Sequence, residues 1–132
     1  MRVAFATTDL LTVDAHFGWT PALVVYEVEA GGSREVARHA FAAAGEDGDH
    51  GKLSLRLQDA AGCTLLFAAA TGAGAIAQLQ ALGVRTAPSR PDERIDELLA
   101  RLSRLLAGTP PPWLQKALRA QSDPAASTED EP

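Results

Sequence analysis

The residues best suited to chemistry lie in one short stretch near the amino terminus, residues 13–19. Asp14, His16 and Gly18 alternate there between two strand-like runs, and loops between strands are where side chains meet ligands. A neutral imidazole binds transition metals through one ring nitrogen, and a neighbouring carboxylate can fix the other nitrogen. His16 is therefore the best candidate metal ligand, with Asp14 as the partner that orients it. The alternative is that His16 hydrogen-bonds to loop backbone.

A glycine-containing turn, residues 71–75, is the second candidate element. It joins an apolar run to a predicted helix, and the free N–H groups at a helix N-terminus bind anions. The turn lacks the lysine of a P-loop and the third glycine of a dinucleotide fingerprint, so neither motif is present. Gly72 and Gly74 thus either hold an anionic cofactor or form a tight packing turn. Gly18 supplies either a positive φ or a close backbone approach to a ligand, or else it forms a simple turn.

The single cysteine, Cys63, is predicted to begin the central strand, at the end opposite the glycine turn. A buried, inert thiol is the expected state there. One cysteine excludes an intramolecular disulfide and a metal site built from several thiolates of one chain. A hydrolase built on a Cys63–His16 pair is a further alternative that requires contact between the two residues. A nuclease is excluded because Mg²⁺ would need several converging acids, and Asp9 and Asp14 alone lie near the right place.

Composition limits the partners of the chain. Its formal net charge is −5, its sequence pI is about 5.1, and it has no cluster of basic residues interleaved with aromatic ones. An acidic chain gains little from counterion release, which excludes nucleic acid as a partner. No apolar stretch reaches the roughly 20 residues of a membrane span, and no secretory signal precedes the first predicted strand. We therefore expect a cytoplasmic protein without membrane contact. We also expect a monomer, since the apolar stripes are those that one core would use.

The apolar patterning predicts an α/β fold. The predicted elements are strands at 2–7, 22–28 and 35–41, a helix at 52–61, a strand at 63–69, a helix at 73–82, a strand at 84–87 and a helix that opens at 91–93. Residues 42–51 form a predicted loop that carries His50. The order β-β-β-α-β-α-β-α puts an antiparallel meander beside a parallel unit in one mixed sheet, which is the order of ribonuclease H-like folds.

Three segments are predicted along the chain. Residues 1–108 form a ribonuclease H-like domain, whose last helix opens with Pro91-Asp92-Glu93 and ends at Gly108. The apolar stripe of that helix comprises Ile95, Leu98, Leu99, Leu102, Leu105 and Leu106. A short amphipathic helix at 109–120 follows a proline spacer, and residues 121–132 have the composition of an acidic disordered tail.

Several motifs together resemble the dinitrogenase iron-molybdenum cofactor biosynthesis family. The segments that carry the resemblance are residues 3–9, 13–18, 25–28, 52–53, 62–63, 72–75 and 78–84. Residues 112–118 are similar to the C-termini of the NifX-type branch of that family. The resemblance covers about residues 1–120, and its most specific parts are the His-Phe-Gly loop and the order of the elements.

The resemblance implies a small ribonuclease H-like carrier without catalytic activity. It would bind an iron–sulfur precursor of the iron-molybdenum cofactor and pass it from a cluster donor to a scaffold acceptor among the nitrogenase cofactor assembly proteins. The family's cofactor-associated histidine maps onto His16. The residues expected to line the cargo site with it are Thr7, Thr8, Asp9, Asp14, Phe17, Gly18, Gly72 and Gly74.

The chain departs from some relatives in its central strand. Those relatives carry a further cysteine there, whereas this chain has Phe67-Ala68 and therefore no thiolate at that place. The alternative function is an interaction module in which the leucine-rich helix or the helix of Trp113 docks an assembly protein and no cluster is held.

Overall fold

The computed structural model describes residues 1–41, 48–87 and 89–122. Its elements are β1 (Arg2–Thr7), β2 (Thr12–Val13), β3 (Ala22–Glu29), β4 (Gly32–Ala40), α1 (Gly48–Ala60), β5 (Leu65–Phe67), α2 (Ala73–Ala81), β6 (Arg85–Ala87), β7 (Glu93–Arg94), α3 (Ile95–Ala107) and α4 (Pro112–Ser122). The first two residues of the predicted acidic tail belong to α4, and the rest of that tail, from residue 123 onward, lies outside the described residues.

A five-stranded mixed sheet forms the centre of the protein, with the strand order β4-β3-β1-β5-β6. Strands β1, β3 and β4 are antiparallel neighbours, whereas β5 runs parallel to β1 and β6 runs parallel to β5. The β1–β3 register pairs Thr7 with Ala22, so β3 begins beside the carboxyl end of β1. The mixed α/β architecture expected from the sequence is confirmed.

Helices cover both faces of the sheet. Alternate residues of β1 point to opposite faces, so the strand contributes to a core on each side. Val3 and Phe5 enter a core that contains the buried residues of α3 and α4. Ala4 and Ala6 enter a second core formed with α1 and α2. Phe5 also stacks on Phe67 with 5.4 Å between the ring centroids, which ties β1 to β5.

The two C-terminal helices belong to the first of these cores. The buried residues of α3 are Ile95, Leu98, Leu99 and Leu102, as its apolar stripe predicted. Leu114 and Ala117 of α4 are buried in the same core. No helix in the described part of the chain is both long and apolar enough for a membrane span.

The prediction for the start of α3 is wrong. The helix starts at Ile95, and Glu93–Arg94 form β7, which pairs antiparallel with β2. Asp92 has a positive φ of 55°, which lies outside the right-handed helical region. The buried carboxylate of Glu93 accepts a hydrogen bond of 2.6 Å from Arg101. Tertiary strand pairing thus outweighs the local helix-start signal of the proline and acids.

Other boundaries also differ from the prediction, with the largest differences at β5, α1 and β4. Strand β5 covers Leu65–Phe67 rather than all of 63–69, because its pairing with β1 and β6 spans three residues. Helix α1 begins at Gly48, which places His50 in a helix and not in the predicted loop. Strand β4 begins at Gly32, immediately after a two-residue turn.

Candidate functional site

The candidate site lies at the carboxyl ends of the parallel strands. The loop after β1 lies against the residues just beyond β5, where the Phe17 N–H donates a hydrogen bond to the Ala70 carbonyl at 2.9 Å. The Ala69 N–H donates to the Ala15 carbonyl at the same distance, and His16 forms a parallel bridge with Ala70. These bonds bring the His-Phe-Gly loop beside the connection that leads into the glycine turn and α2. The two candidate elements of the sequence therefore meet at one edge of the sheet.

His16 is half-buried, and its ring is held by its own loop. The Gly18 N–H donates to His16 Nδ1 at 3.0 Å, and the Trp19 N–H donates to the His16 carbonyl at 3.1 Å. The His16 and Trp19 ring centroids are 6.2 Å apart. A neutral imidazole has one N–H, so an accepting Nδ1 leaves the proton on Nε2. One ring nitrogen of His16 thus bonds to loop backbone, as the structural alternative expected, and Nε2 has no hydrogen-bond partner among the described residues.

Asp14 does not orient His16, contrary to the prediction. One carboxylate oxygen of Asp14 accepts from the Thr8 N–H at 2.7 Å, and the other accepts from the Thr8 hydroxyl. Both oxygens of the Asp14 carboxylate thus accept hydrogen bonds from Thr8, the residue that follows β1. The group that fixes the His16 ring is the Gly18 N–H.

Asp9 binds its own turn and not an open site. Its Oδ1 accepts from the Leu11 and Thr12 N–H groups, each at 2.9 Å. These hydrogen bonds lower the pKa of Asp9 to about 2. Leu10, inside this turn, has a φ of 67°, a left-handed conformation that the surrounding bonds hold in place. Asp9 therefore stabilises its own turn, and its role as a cargo contact stays a prediction.

The polar groups of Thr7 and Thr8 also form hydrogen bonds within the loop. Thr7 is fully buried, its hydroxyl donates to Asp9 at 3.2 Å, and that hydroxyl accepts from the Leu10 N–H at 2.9 Å. The exposed Thr8 directs both its N–H and its hydroxyl to Asp14. The two threonines shape the edge of the site without offering a donor to a ligand.

Phe17 lies in the core, whereas Gly18 lies close to the His16 ring. The Phe17 side chain is fully buried in the core formed with α1 and α2, so it is not a cargo contact. Gly18 lacks a positive φ, and a Cβ there would lie 3.4 Å from His16 Cε1 and Nδ1. The glycine thus allows its backbone to approach the imidazole closely, and in this way it positions the ring.

Gly72 and Gly74 open α2 toward solvent. Gly72 is the N-cap, with an extended φ of −61° and ψ of 153°, and no side chain caps the first turn. Both glycines are exposed, and a Cβ on either would meet no atom within 4 Å. An exposed helix N-terminus without a side-chain cap can accept an anionic group, although this conformation does not require glycine at either position.

Two residues of the site were missed from the sequence. Trp19 is 53% exposed beside His16, and its place at the end of the motif was a visible signal. Arg56 is buried, and its guanidinium donates to the Thr20 carbonyl at 3.0 and 2.7 Å and lies 4.4 Å from the Phe41 ring centroid. Burial lowers the pKa of Arg56. Its position on the apolar face of α1 was the signal that could have revealed it.

Cys63 lies away from this site. It is buried before the start of β5, whereas His16 pairs beyond the end of that strand. Burial raises the pKa of the thiol to about 11, which keeps it protonated and unreactive. The Cys63–His16 hydrolase is therefore excluded.

Comparison with known proteins gives the class of this chain. Residues 1–105 match the family described as Dinitrogenase iron-molybdenum cofactor. The chain is 36% identical to Protein NifX of Herbaspirillum seropedicae over 132 residues, which covers 99% of this chain and 90% of that protein. It is 37% identical to Protein NifX of Rhodobacter capsulatus over 129 residues, which covers 94% and 81%. It is also 32% identical to Protein NifY of Azotobacter vinelandii over 127 residues, which covers 93% and 50%.

The chain belongs to the dinitrogenase iron-molybdenum cofactor family. Within that family it is of the NifX type, as its motifs predicted, and its role lies in nitrogenase cofactor biosynthesis. The crystal structure of PH0822 matches the fold with a TM-score of 0.61 and 24% sequence identity, over 78% of this chain and 88% of that one. That likeness concerns the fold alone.

Proposed function

We propose that this protein is a non-catalytic carrier that holds an iron–sulfur precursor of the iron-molybdenum cofactor and passes it from a cluster donor to a scaffold acceptor. The observation that carries the proposal is the state of His16. Its ring is half-buried and fixed through Nδ1, while Nε2 has no hydrogen-bond partner among the described residues. The family of the chain supplies the class of cargo.

The chemistry of such a site suits transfer. A carrier must hold a cluster and still release it, and one imidazole with backbone N–H donors is a more exchangeable cradle than four cysteines. In the described part of the chain, no three His, Cys, Asp or Glu side chains are grouped to hold a metal ion. The N–H groups at the start of α2, beside Gly72 and Gly74, are the proposed contact for the anionic face of the cargo.

The sheet supports assignment of the fold to the ribonuclease H-like class. The antiparallel β1, β3 and β4 are followed by β5 and β6, which extend the sheet on the other side of β1 in parallel. In this proposal residues 1–108 form the cofactor-binding domain, and the helix within 109–120 completes one core through Leu114. The carrier acts as a monomer.

The experiment is anoxic incubation with the isolated iron–sulfur precursor, followed by gel filtration, with visible absorption and iron content as readouts. Wild-type protein is expected to retain iron, and His16→Ala is expected to lose most of it. His39→Ala is the matched control, because His39 lies on the outer strand β4 and contacts Asp59 at 3.5 Å. Equal retention by wild type and His16→Ala would move the site away from His16.

A second candidate function is the docking of an assembly protein without cargo. A groove of about 300 Å³ lies between the edge strand β6 and the helices α3 and α4. Its apolar lining consists of Phe67, Ala87, Leu98, Leu102, Leu105 and Trp113. This groove combines the leucine-rich helix and the Trp113 helix, the two elements that the sequence suggested for docking.

The same samples distinguish the two functions. If wild-type protein retains no iron but binds the scaffold acceptor, and Leu105→Glu abolishes that binding, docking is the function. Leu82→Glu is the control, because Leu82 is 46% exposed and lies outside the groove. Circular dichroism of both variants verifies that they are folded.

A further inference from the structure

The hydrogen bond at His16 determines which nitrogen carries the proton. The Gly18 N–H points at Nδ1 from 3.0 Å, so Nδ1 is an acceptor and the proton of the neutral ring is on Nε2. Nε2 is the nitrogen without a partner in the described part of the chain, and it is therefore a donor. An N–H group offered to a ligand recognises an acceptor atom and not a metal ion.

A histidine that ligates a metal shows the opposite arrangement. Its second ring nitrogen is protonated and donates to a carboxylate, a backbone carbonyl or a water, and this bond fixes the ligand tautomer. At His16 the second nitrogen faces a donor, and the carboxylate of Asp14 is bound to Thr8. To ligate through Nε2, the proton would have to move to Nδ1, where it would face the Gly18 N–H and break that bond.

We propose that His16 contacts the cargo as a hydrogen-bond donor, from Nε2–H to a sulfide of the cluster, and that the Gly18 N–H is the positioning group that sets this tautomer. The inference rests on the proposed carrier function and refines it. Sulfides of iron–sulfur clusters accept hydrogen bonds, and such bonds tune the clusters that receive them. The site therefore selects a cargo with an exposed sulfide over a bare divalent cation.

This mode of contact also suits release. When the cargo moves to an acceptor, a hydrogen bond from Nε2–H breaks and no metal–nitrogen bond has to be exchanged. Gly18 contributes through its backbone, and its lack of a side chain lets that backbone lie against the imidazole. An alanine there would touch the ring at 3.4 Å and would keep the N–H donor.

The first test needs no cargo and measures the tautomer of His16 by nitrogen-15 NMR at a pH where the ring is neutral. Wild type is expected to show a protonated Nε2 and an unprotonated Nδ1. Gly18→Ala keeps the N–H and should keep this signature, whereas Gly18→Pro removes the donor and should shift the population toward Nδ1–H. A wild-type ring protonated on Nδ1 would overturn the inference. Zn²⁺ alone should leave the His16 signals in place, and loss of the Nε2 proton on zinc addition would also overturn it.

The second test compares three variants for retention of the isolated iron–sulfur precursor. His16→Gln places an amide N–H₂ near the position of Nε2 and should retain iron within about threefold of wild type. His16→Asn, whose amide is too short, and His16→Ala should each lose about tenfold, the value of one hydrogen bond to a charged acceptor.

The outcomes separate this inference from the function on which it rests. Retention by wild type together with equal loss in His16→Gln and His16→Ala would leave the carrier function standing and overturn the donor role. An iron–nitrogen distance near 2 Å in X-ray absorption of the loaded wild type, absent in His16→Ala, would overturn it in the same way. Failure of wild type to retain iron would overturn the carrier function itself, whatever the tautomer.

Discussion

Two halves of the segment from the end of β1 to Trp19 use their polar side chains differently. In the first half, residues 7–14, the carboxylates of Asp9 and Asp14 accept hydrogen bonds from the loop itself. In the second half, residues 16–19, the imidazole takes one backbone bond and leaves Nε2 without a described partner, beside an exposed Trp19. Polar residues near a site thus divide into those that build the loop and those that face a ligand. Hydrogen-bond satisfaction separates the two groups.

The largest expected effect comes from the buried residue of the second half. Phe17→Ala should lower the free energy of unfolding by about 3–5 kcal/mol, because it opens a cavity in a core. Phe17→Leu should cost less than about 1.5 kcal/mol and should retain iron as wild type does, since the ring lies in the core and not in the site. Urea unfolding and iron retention are the measurements. A folded Phe17→Leu protein that failed to retain iron would place the ring in the cargo site.

The next-largest effect is expected at Arg56, whose guanidinium contacts the Thr20 carbonyl just after residues 16–19. Arg56→Met should lower the free energy of unfolding by about 1–3 kcal/mol, because the Thr20 carbonyl loses two buried donor contacts. Urea unfolding measures the loss. Arg38→Met is a comparison, because both side chains of its ion pair with Glu35 are partly exposed, and the substitution should cost less. Equal stability of Arg56→Met and wild type would show that the guanidinium does not hold the loop.

A crossed pair of variants tests the comparison directly. Asp14→Ala should reduce stability by about 1 kcal/mol through its lost bonds to Thr8, while iron retention per folded molecule stays at the wild-type level. His16→Ala should reduce retention about tenfold with a stability change near 0.5 kcal/mol. Thermal unfolding and iron content give the four values. The division of the loop would be wrong if Asp14→Ala lost retention and His16→Ala did not.

The smallest effect is a pH dependence from Asp9. Its folded-state pKa of about 2 lies below the ordinary value of 3.8, because the Leu11 and Thr12 N–H groups favour the charged form. A lowered folded-state pKa adds stability that is present above pH 3.8 and is lost as the pH falls toward 2. Acid unfolding of wild type and Asp9→Asn measures it, and the stability difference between the two should shrink across that range. A difference that stayed constant would assign the role of Asp9 to something other than its charge.

Much of the fold could be predicted because burial follows a periodic pattern. The apolar run of Arg2–Thr7 and the leucine stripe of α3 identify their elements without reference to the rest of the chain. The start of α3 could not be predicted in this way. Its proline and acids are a local helix-start signal, and the competing pairing of β7 with β2 joins residues about 80 apart.

The sequence predicts which segments come together at the candidate site, but not how the side chains within them pair. The His-Phe-Gly motif and the glycine turn are expected to line one cargo site, and the bonds of Ala69 and Ala70 to the loop bring that loop beside the connection into the glycine turn. The partner of Asp14 was assigned to its near neighbour His16 and proved to be Thr8. Closeness in the sequence of a loop does not determine which side chains point the same way.

The class of this protein, most of its strands and helices and the histidine at the centre of its candidate site follow from the amino-acid sequence. These depend on residue identity and on period, which a linear chain displays. The tertiary structure alone decided that Asp9 and Asp14 serve the loop, that Phe17 belongs to the core and that the Gly18 N–H meets His16 Nδ1. Such choices depend on which donors and acceptors come within about 3 Å, and the folded backbone sets that distance.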